Sequence, residues 1–234
     1  MTENIPLILE GKGTPLILLH GFMMNKESFA SQISYFSKYF KVCAYDMCGF
    51  GQNSCMTYPY NLDDYVSEFL KVANMFSSKV NVIAHSFGAR VVLKCASLYD
   101  IIDKMVICGG AGLKPRYSFK KSAKRCVYRL IRPLFKKEQL EKIFFSSDYN
   151  MLGDVMKESF KLVTSEHLDG LLNKIECPTM AIYGSDDDQT PIYMGRRLQS
   201  RMKNCKLFVM EGCNHFCYLQ KPTLFNSVVK EFLL

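Results

Sequence analysis

At 234 residues, 48% hydrophobic and 22% charged, the chain suits one large α/β core with a modest insertion and excludes a disordered, collagen-like or coiled-coil protein. Its net charge of +8 is local: between Gly112 and Lys142 eleven basic residues face two acidic ones, a balance of +9 that leaves −1 elsewhere, with no zinc-finger, RNP-like or basic-zipper pattern to suggest nucleic acid. No apolar run reaches 18 residues, the start lacks signal-peptide features, and ten scattered cysteines form no CxxC pair, so reduced thiols and a cytoplasmic location are expected.

In chain order, short apolar runs rich in β-branched residues predict strands at 5–9, 16–20, 42–46, 80–85, 105–108, 179–183 and 207–210. Longer amphipathic stretches between them predict helices at 26–39, 62–76, 87–99, 168–175, 192–202 and 223–233. That alternation is the pattern of a mainly parallel sheet. A glycine-bearing turn at 10–15 permits a hairpin between the first two strands, which would make that edge antiparallel.

Residues 112–167 break the alternation. Phe119, Ala123, Cys126, Val127 and Leu130 fall at i, i+4, i+7, i+8 and i+11, one apolar helical stripe beneath a basic face, until Pro133 interrupts it. We therefore expect an α/β core domain formed by 1–111 and 168–234, with 112–167 as a helical cap. Following the fifth strand, it is placed as a lid, because α/β sites gather at the carboxyl ends of strands.

The most specific chemical signal is Val80-Asn81-Val82-Ile83-Ala84-His85-Ser86-Phe87-Gly88-Ala89, a strand running through a serine into a helix. Small residues two before and two after Ser86 let strand and helix approach closely around an exposed hydroxyl. Residues 16–20 end in His20-Gly21-Phe22, where the Phe22 N–H could join that of Phe87 in an oxyanion hole. Gly184-Ser185-Asp186-Asp187-Asp188-Gln189-Thr190-Pro191 places acids after one strand, and Glu211-Gly212-Cys213-Asn214-His215-Phe216 places a histidine after the last. Serine, acid and histidine in that order, each past a strand, are the parts of a nucleophilic hydrolase.

On these segments, and on Asp46-Met47-Cys48-Gly49-Phe50-Gly51-Gln52-Asn53-Ser54, the chain resembles the α/β-hydrolase fold superfamily over nearly its whole length. The resemblance to its G-x-x-D-x-x-x-P and G-x-x-H-x motifs selects Asp187 and His215. Ala84, where the family usually has glycine, and a start too late to supply the family's first strand are departures. A serine nucleophile separates the chain from the superfamily's aspartate-dependent dehalogenases and epoxide hydrolases.

The resemblance implies a Ser86-His215-Asp187 triad with Phe22 and Phe87 N–H groups as oxyanion hole, no cofactor and no metal. The partner is a small acyl substrate, with Met23, Met24, Phe87 and Phe216 flanking the site and Met23 and Phe216 chosen as its contacts. Cleavage of a small or medium carboxylic ester through an acyl-enzyme is the first expectation. A carbon–carbon bond hydrolase of an anionic diketone acid is the alternative, because a basic lid suits an anion; an aminopeptidase would instead need acids there. A non-catalytic receptor would not need all three residues. His20 is expected to brace the oxyanion turn and His85 the elbow, His167 to lie at the surface, and Asp186 and Asp188 to be solvated or to cap the following helix. The basic face is ranked as a steering field for anionic substrates above contact with an anionic membrane, because a lid buries the apolar stripe that a membrane would need.

Overall fold

The computed structural model describes residues 5–116 and 147–234. The stripe from Phe119 to Leu130 and the basic face of Lys120, Lys121, Lys124, Arg125, Arg129 and Arg132 lie outside the described residues.

Seven strands form one sheet: β1 (Leu7–Glu10), β2 (Pro15–Leu19), β3 (Lys41–Tyr45), β4 (Val80–His85), β5 (Ile102–Cys108), β6 (Thr179–Gly184) and β7 (Cys205–Met210). Their order is β1-β3-β2-β4-β5-β6-β7, and every neighbouring pair is parallel except β1 with β3. The antiparallel edge is present, but the expected hairpin is not. β1 pairs with β3, and β3 lies between the two strands that the glycine turn joins. Gly11, at φ 81°, turns the chain against the end of the first helical segment, where a Cβ would stand 2.2 Å from Phe40 O and 2.4 Å from Ser37 O.

Side-chain alternation sorts the core into two layers. Ile17, Leu19, Val82, Ala84, Ile107 and Tyr183 face one side, packed under α2 (Leu62–Ala73), α3 (Phe87–Leu98) and, further along the chain, a helix at Tyr193–Arg201. Leu16, Leu18, Ile83, Val106 and Ile182 face the other, under α1 (Ala30–Phe36) and a C-terminal helix at Pro222–Leu233. Between β5 and β6 lie α4 (Ser147–Asn150) and α5 (Asp154–Ser165), inside the 112–167 stretch expected to be helical, for which the sequence reading gave no helix bounds beyond Pro133. The Tyr193–Arg201 helix is α6, Cys217–Gln220 is α7 and Pro222–Leu233 is α8.

The helix expected at 168–175 is only a short 3-10 turn, Leu172–Lys174. Gly170 disfavours a helix, and the Asp169 carboxylate is drawn away to Lys114 N–H at 2.7 Å and Arg197 Nη1 at 2.9 Å. Parallel strands put the loops after β2, β3, β4, β6 and β7 at one edge of the sheet, where five sequence motifs converge.

Candidate active site

β4 ends at His85 and α3 begins at Phe87, so Ser86 alone makes the reversal. It does so at φ 49° and ψ −104°, a backbone conformation that costs a non-glycine residue about 1–3 kcal/mol. Main-chain bonds hold it there: Ser86 N–H donates to Cys108 O at 3.0 Å, and Ser86 O accepts from Ala89 N–H and Ala111 N–H, both at 3.1 Å. A Cβ at Gly88 would meet Leu19 O at 2.7 Å and His20 O at 2.8 Å, which explains the glycine on the helix side. Ala84 is a buried strand residue without positive φ, so the family's usual glycine is not needed.

The turn after β2 is braced by His20. Its Nδ1–H donates to Gly21 O at 2.8 Å and its Nε2 accepts from Met47 N–H at 3.1 Å, a pairing that fixes the neutral tautomer. Burial lowers its pKa further. Met23 takes φ 57°, and Met24 N–H closes the turn onto Gly21 O at 3.2 Å. Neither the Phe22 N–H nor the Phe87 N–H has an acceptor among the described residues.

Behind this turn lies a buried ion pair. Asp46 accepts from Lys26 Nζ at 2.7 Å, Lys26 N–H at 2.8 Å and Gln52 N–H at 2.9 Å. Asp46 is wholly buried and Lys26 is 5% exposed. Burial opposes the Asp46 charge, but the Lys26 ammonium and the two backbone donors more than offset it and hold the carboxyl below its ordinary value.

Across the sheet edge, His215 Nδ1–H donates to Asp187 Oδ2 at 2.8 Å. Of the three consecutive aspartates only Asp187 is buried, and it also accepts Gln189 N–H at 2.9 Å and Thr190 N–H at 2.8 Å. The Thr190 hydroxyl lies 2.7 Å from Asp187 Oδ2 and 3.0 Å from Gly109 O, and can give its one proton to either. Burial raises the Asp187 pKa, and the bonds from His215 and Thr190 outweigh it, so the carboxyl sits below its ordinary value. The acid and histidine loops are tied directly: Asp186 N–H donates to Cys213 O at 2.9 Å and Gly212 N–H to Ser185 Oγ at 2.9 Å. A Cβ at Gly184 would sit 2.1 Å from Cys213 O, so only glycine allows that approach.

His85 lies against the other face of the histidine loop, its ring centroid 4.7 Å from that of His215. Its Nε2–H donates to His215 O at 3.1 Å. Burial and then the His215 ring push its pKa down to about 3, so it stays a neutral donor. Asp186 and Asp188 are exposed, and neither caps α6. His167 is exposed.

Ser86, His215, Phe22, Phe87, Met23, Met24 and Phe216 all line one cavity of about 450 Å³, with Tyr149, Phe160 and Thr164 walling it from α4 and α5. No direct hydrogen bond joins the Ser86 hydroxyl to the His215 ring, a contact that in unliganded hydrolytic sites is often long and tightens with substrate. The sequence reading missed Thr190 and Arg90, which also line the cavity. Both carried a signal: Thr190 is the hydroxyl residue just before Pro191, and Arg90 is the only charge in the apolar run from Phe87 to Leu93.

A family model described as the alpha/beta hydrolase fold matches residues 14–148, more than half of the chain, and the chain belongs to that family. Its relatives are hydrolases. It is 25% identical to (E)-2-((N-methylformamido)methylene)succinate hydrolase of Acinetobacter baylyi, over 96% of this chain and 92% of that protein. It is 24% identical to 2-hydroxy-6-oxo-6-(2'-aminophenyl)hexa-2,4-dienoic acid hydrolase of Metapseudomonas resinovorans, over 95% and 85%. Among solved structures, a meta-cleavage product hydrolase from Pseudomonas fluorescens shares the fold with a TM-score of 0.75 at 22% identity, covering 97% of this chain and 93% of that one. Hydrolase is thus the activity class; no helix among the described residues is long and apolar enough to cross a membrane.

Proposed function

We propose that the chain is a serine hydrolase that cleaves a carbon–carbon bond beside the ketone of an anionic diketone acid. The observation that carries the reading is the convergence, on one cavity, of a strained serine, a histidine already oriented by a buried aspartate, and two unengaged backbone N–H groups. Ser86 Oγ attacks the ketone carbon while its proton passes to His215 Nε2. Asp187 holds the opposite ring nitrogen protonated and stabilises the imidazolium, and the Phe22 and Phe87 N–H groups donate to the oxyanion. A 2-hydroxy-6-oxo dienoic acid reacts as its diketone tautomer, in which the enol proton has moved to the carbon beside the attacked ketone, and as the carbonyl reforms the carbon–carbon bond breaks. Its electron pair leaves on the dienoate fragment as a delocalised enolate, which takes the proton from His215; water then hydrolyses the acyl-enzyme. The segment 112–167 acts as the cap over this cavity, on which α4 and α5 already form a wall.

Two relatives favour this reading over ester cleavage, since the one from Metapseudomonas resinovorans and a 22% identical 2-hydroxy-6-oxononadienedioate/2-hydroxy-6-oxononatrienedioate hydrolase of Paraburkholderia phymatum are named for 6-oxo dienoic acids. The nine described cysteines are free, which suits the cytoplasm as its compartment. The test sets a 2-hydroxy-6-oxo dienoic acid against carboxylic esters of varied acyl length, with Ser86→Ala beside the parent. Higher kcat/KM on the dienoic acid, lost by on the order of 10⁶ in kcat in Ser86→Ala, is the expected result. Faster ester turnover would move the reaction to carboxylic esters, and failure of a fluorophosphonate to label Ser86 would turn the fold into a ligand receptor.

A further inference from the structure

Arg90 sits on α3 one turn beyond Ser86, lines the same cavity and is 9% exposed. Among the described residues its hydrogen bonds run through one nitrogen: Nη1 donates to Val163 O and to Glu166 O, both at 3.0 Å, at the C-terminal end of α5. Glu166 gives its carboxylate not to Arg90 but to Lys94 Nζ at 2.7 Å, and Lys94 also holds Asp63 at 2.7 Å. Among the described residues no carboxylate lies within 4.0 Å of the Arg90 guanidinium. Burial pushes the guanidinium pKa down and the Glu166 carboxylate offsets this only through space, so Arg90 has a nearby opposite charge but no directly bonded one, which is costly for a charge this buried.

The guanidinium carries five N–H donors in a fixed fork, and the carbonyls engage only those on Nη1. No other Arg90 nitrogen is both buried and unpartnered, so the remaining donors keep access to solvent, and the side chain is part of the cavity wall. Long helical side chains lean toward the helix N-terminus, here toward Ser86. Four residues of helix place the two positions roughly 6 Å apart along the axis, comparable to the reach of a short acyl chain.

We propose that Arg90 determines specificity: its remaining N–H groups pair with a substrate carboxylate set several bonds from the carbonyl that Ser86 attacks, and the substrate supplies the direct ion pair that Glu166 does not. This rests on the reading of Ser86 as nucleophile. It also makes anion binding and the seating of α5 share one side chain.

The test uses monomethyl adipate and dimethyl adipate, which differ in one carboxylate and place it as far from the ester carbonyl as in a 6-oxo dienoic acid. In Arg90→Gln the ratio of kcat/KM, anionic over neutral, should fall by on the order of 10- to 100-fold, and Arg90→Lys should recover part of it. Lys94→Met loosens the same end of α5 without touching the cavity, so both esters should move together there. An unchanged ratio in Arg90→Gln, with both rates falling in step, would reduce Arg90 to a clamp on α5 and overturn the proposal. Calorimetry on Ser86→Ala separates the two readings, because it needs no turnover. Monomethyl adipate should bind at least about tenfold more tightly than dimethyl adipate, and adding Arg90→Gln, or Arg90→Lys where the glutamine variant does not fold, should weaken it. Equal affinity for the two esters overturns the carboxylate site, whereas Ser86-independent turnover with carboxylate binding retained overturns only the nucleophile.

Discussion

Two buried aspartates stand at the carboxyl ends of strands in this fold, and they differ in the partner each is given. Asp46, after β3, is bonded by two backbone N–H groups and by Lys26, a cation at every physiological pH. Asp187, after β6, is bonded by two backbone N–H groups and by His215, whose ring can gain and release a proton. The same carboxylate chemistry thus serves once as a brace, under the turn that carries Phe22, and once as part of a proton-transfer chain. Backbone donors that pin a carboxylate are common to both; the partner's capacity to change charge separates structure from chemistry.

The sharpest way to break this comparison is to neutralise each aspartate without changing its shape. Asp187→Asn should cost on the order of 10⁴ in kcat, because the amide no longer favours the Nδ1–H tautomer or the imidazolium. Steady-state kinetics on a correctly folded variant would check it, and a loss confined to KM would contradict the proton-transfer role. Asp46→Asn should act on stability instead. It leaves the Lys26 ammonium with the half-exposed Glu27 carboxylate at 3.0 Å as its remaining charged partner, and about 1–3 kcal/mol of folding free energy should go with it, read from the denaturant midpoint. Its kcat per folded molecule should stay close to the parent's. A large kcat loss at unchanged stability would place Asp46 with the chemistry after all.

A pH titration sharpens the point at smaller amplitude. Both carboxyls are held below their ordinary value, so through the interval beneath about pH 4 the unfolded chain binds more protons than the folded one. Their stabilisation is therefore fully present above the unfolded value and is lost as pH falls through the folded value. Melting temperature should decline with acidification there, and more gently in Asp46→Asn, which has one such carboxyl fewer. Burial holds His85 and His20 neutral in the fold, so from about pH 6.5 downward the unfolded chain takes up protons that these rings refuse, and a shallower loss of stability precedes the carboxylate one in both proteins.

How much of this was legible follows from which signals are local. The strand–serine–helix pattern pointed to Ser86, which does make the turn, and the resemblance to the family's G-x-x-D-x-x-x-P motif pointed, among three adjacent aspartates, to the one that bonds His215, because such motifs span only a few consecutive residues. The pairing of β1 with β3 was not legible, since a glycine turn reports that the chain bends, not which strand later inserts beside it. Gly170 and Asp169 together explain the shortened helix near 172, yet the pull of Arg197 on Asp169 exists only once α6 has packed. Arg90 was visible as a lone charge in an apolar helix, but its meaning depends on Glu166 being claimed by Lys94, a contact between segments 72 residues apart.

The smallest effects should come from the flanking acids, and they test whether the Asp187 register is as exclusive as the geometry makes it. Asp186 is exposed and its carboxylate accepts from Ser185 Oγ at 2.8 Å, while the link between the acid and histidine loops runs through Asp186 N–H and Ser185 Oγ, which an asparagine leaves in place. Asp188 is exposed and caps no helix. Asp186→Asn and Asp188→Asn should each change stability by no more than about 0.5 kcal/mol, with kcat near the parent value. Of the two, Asp186→Asn should show the larger shift, because the Ser185 hydroxyl then donates to a neutral amide oxygen instead of a carboxylate, while its own oxygen keeps the Gly212 N–H. If instead either substitution cost as much kcat as Asp187→Asn, the loop would have to rearrange on substrate binding so that a different carboxylate meets His215, and the contrast between a fixed brace at Asp46 and a fixed acid at Asp187 would fail on the second half.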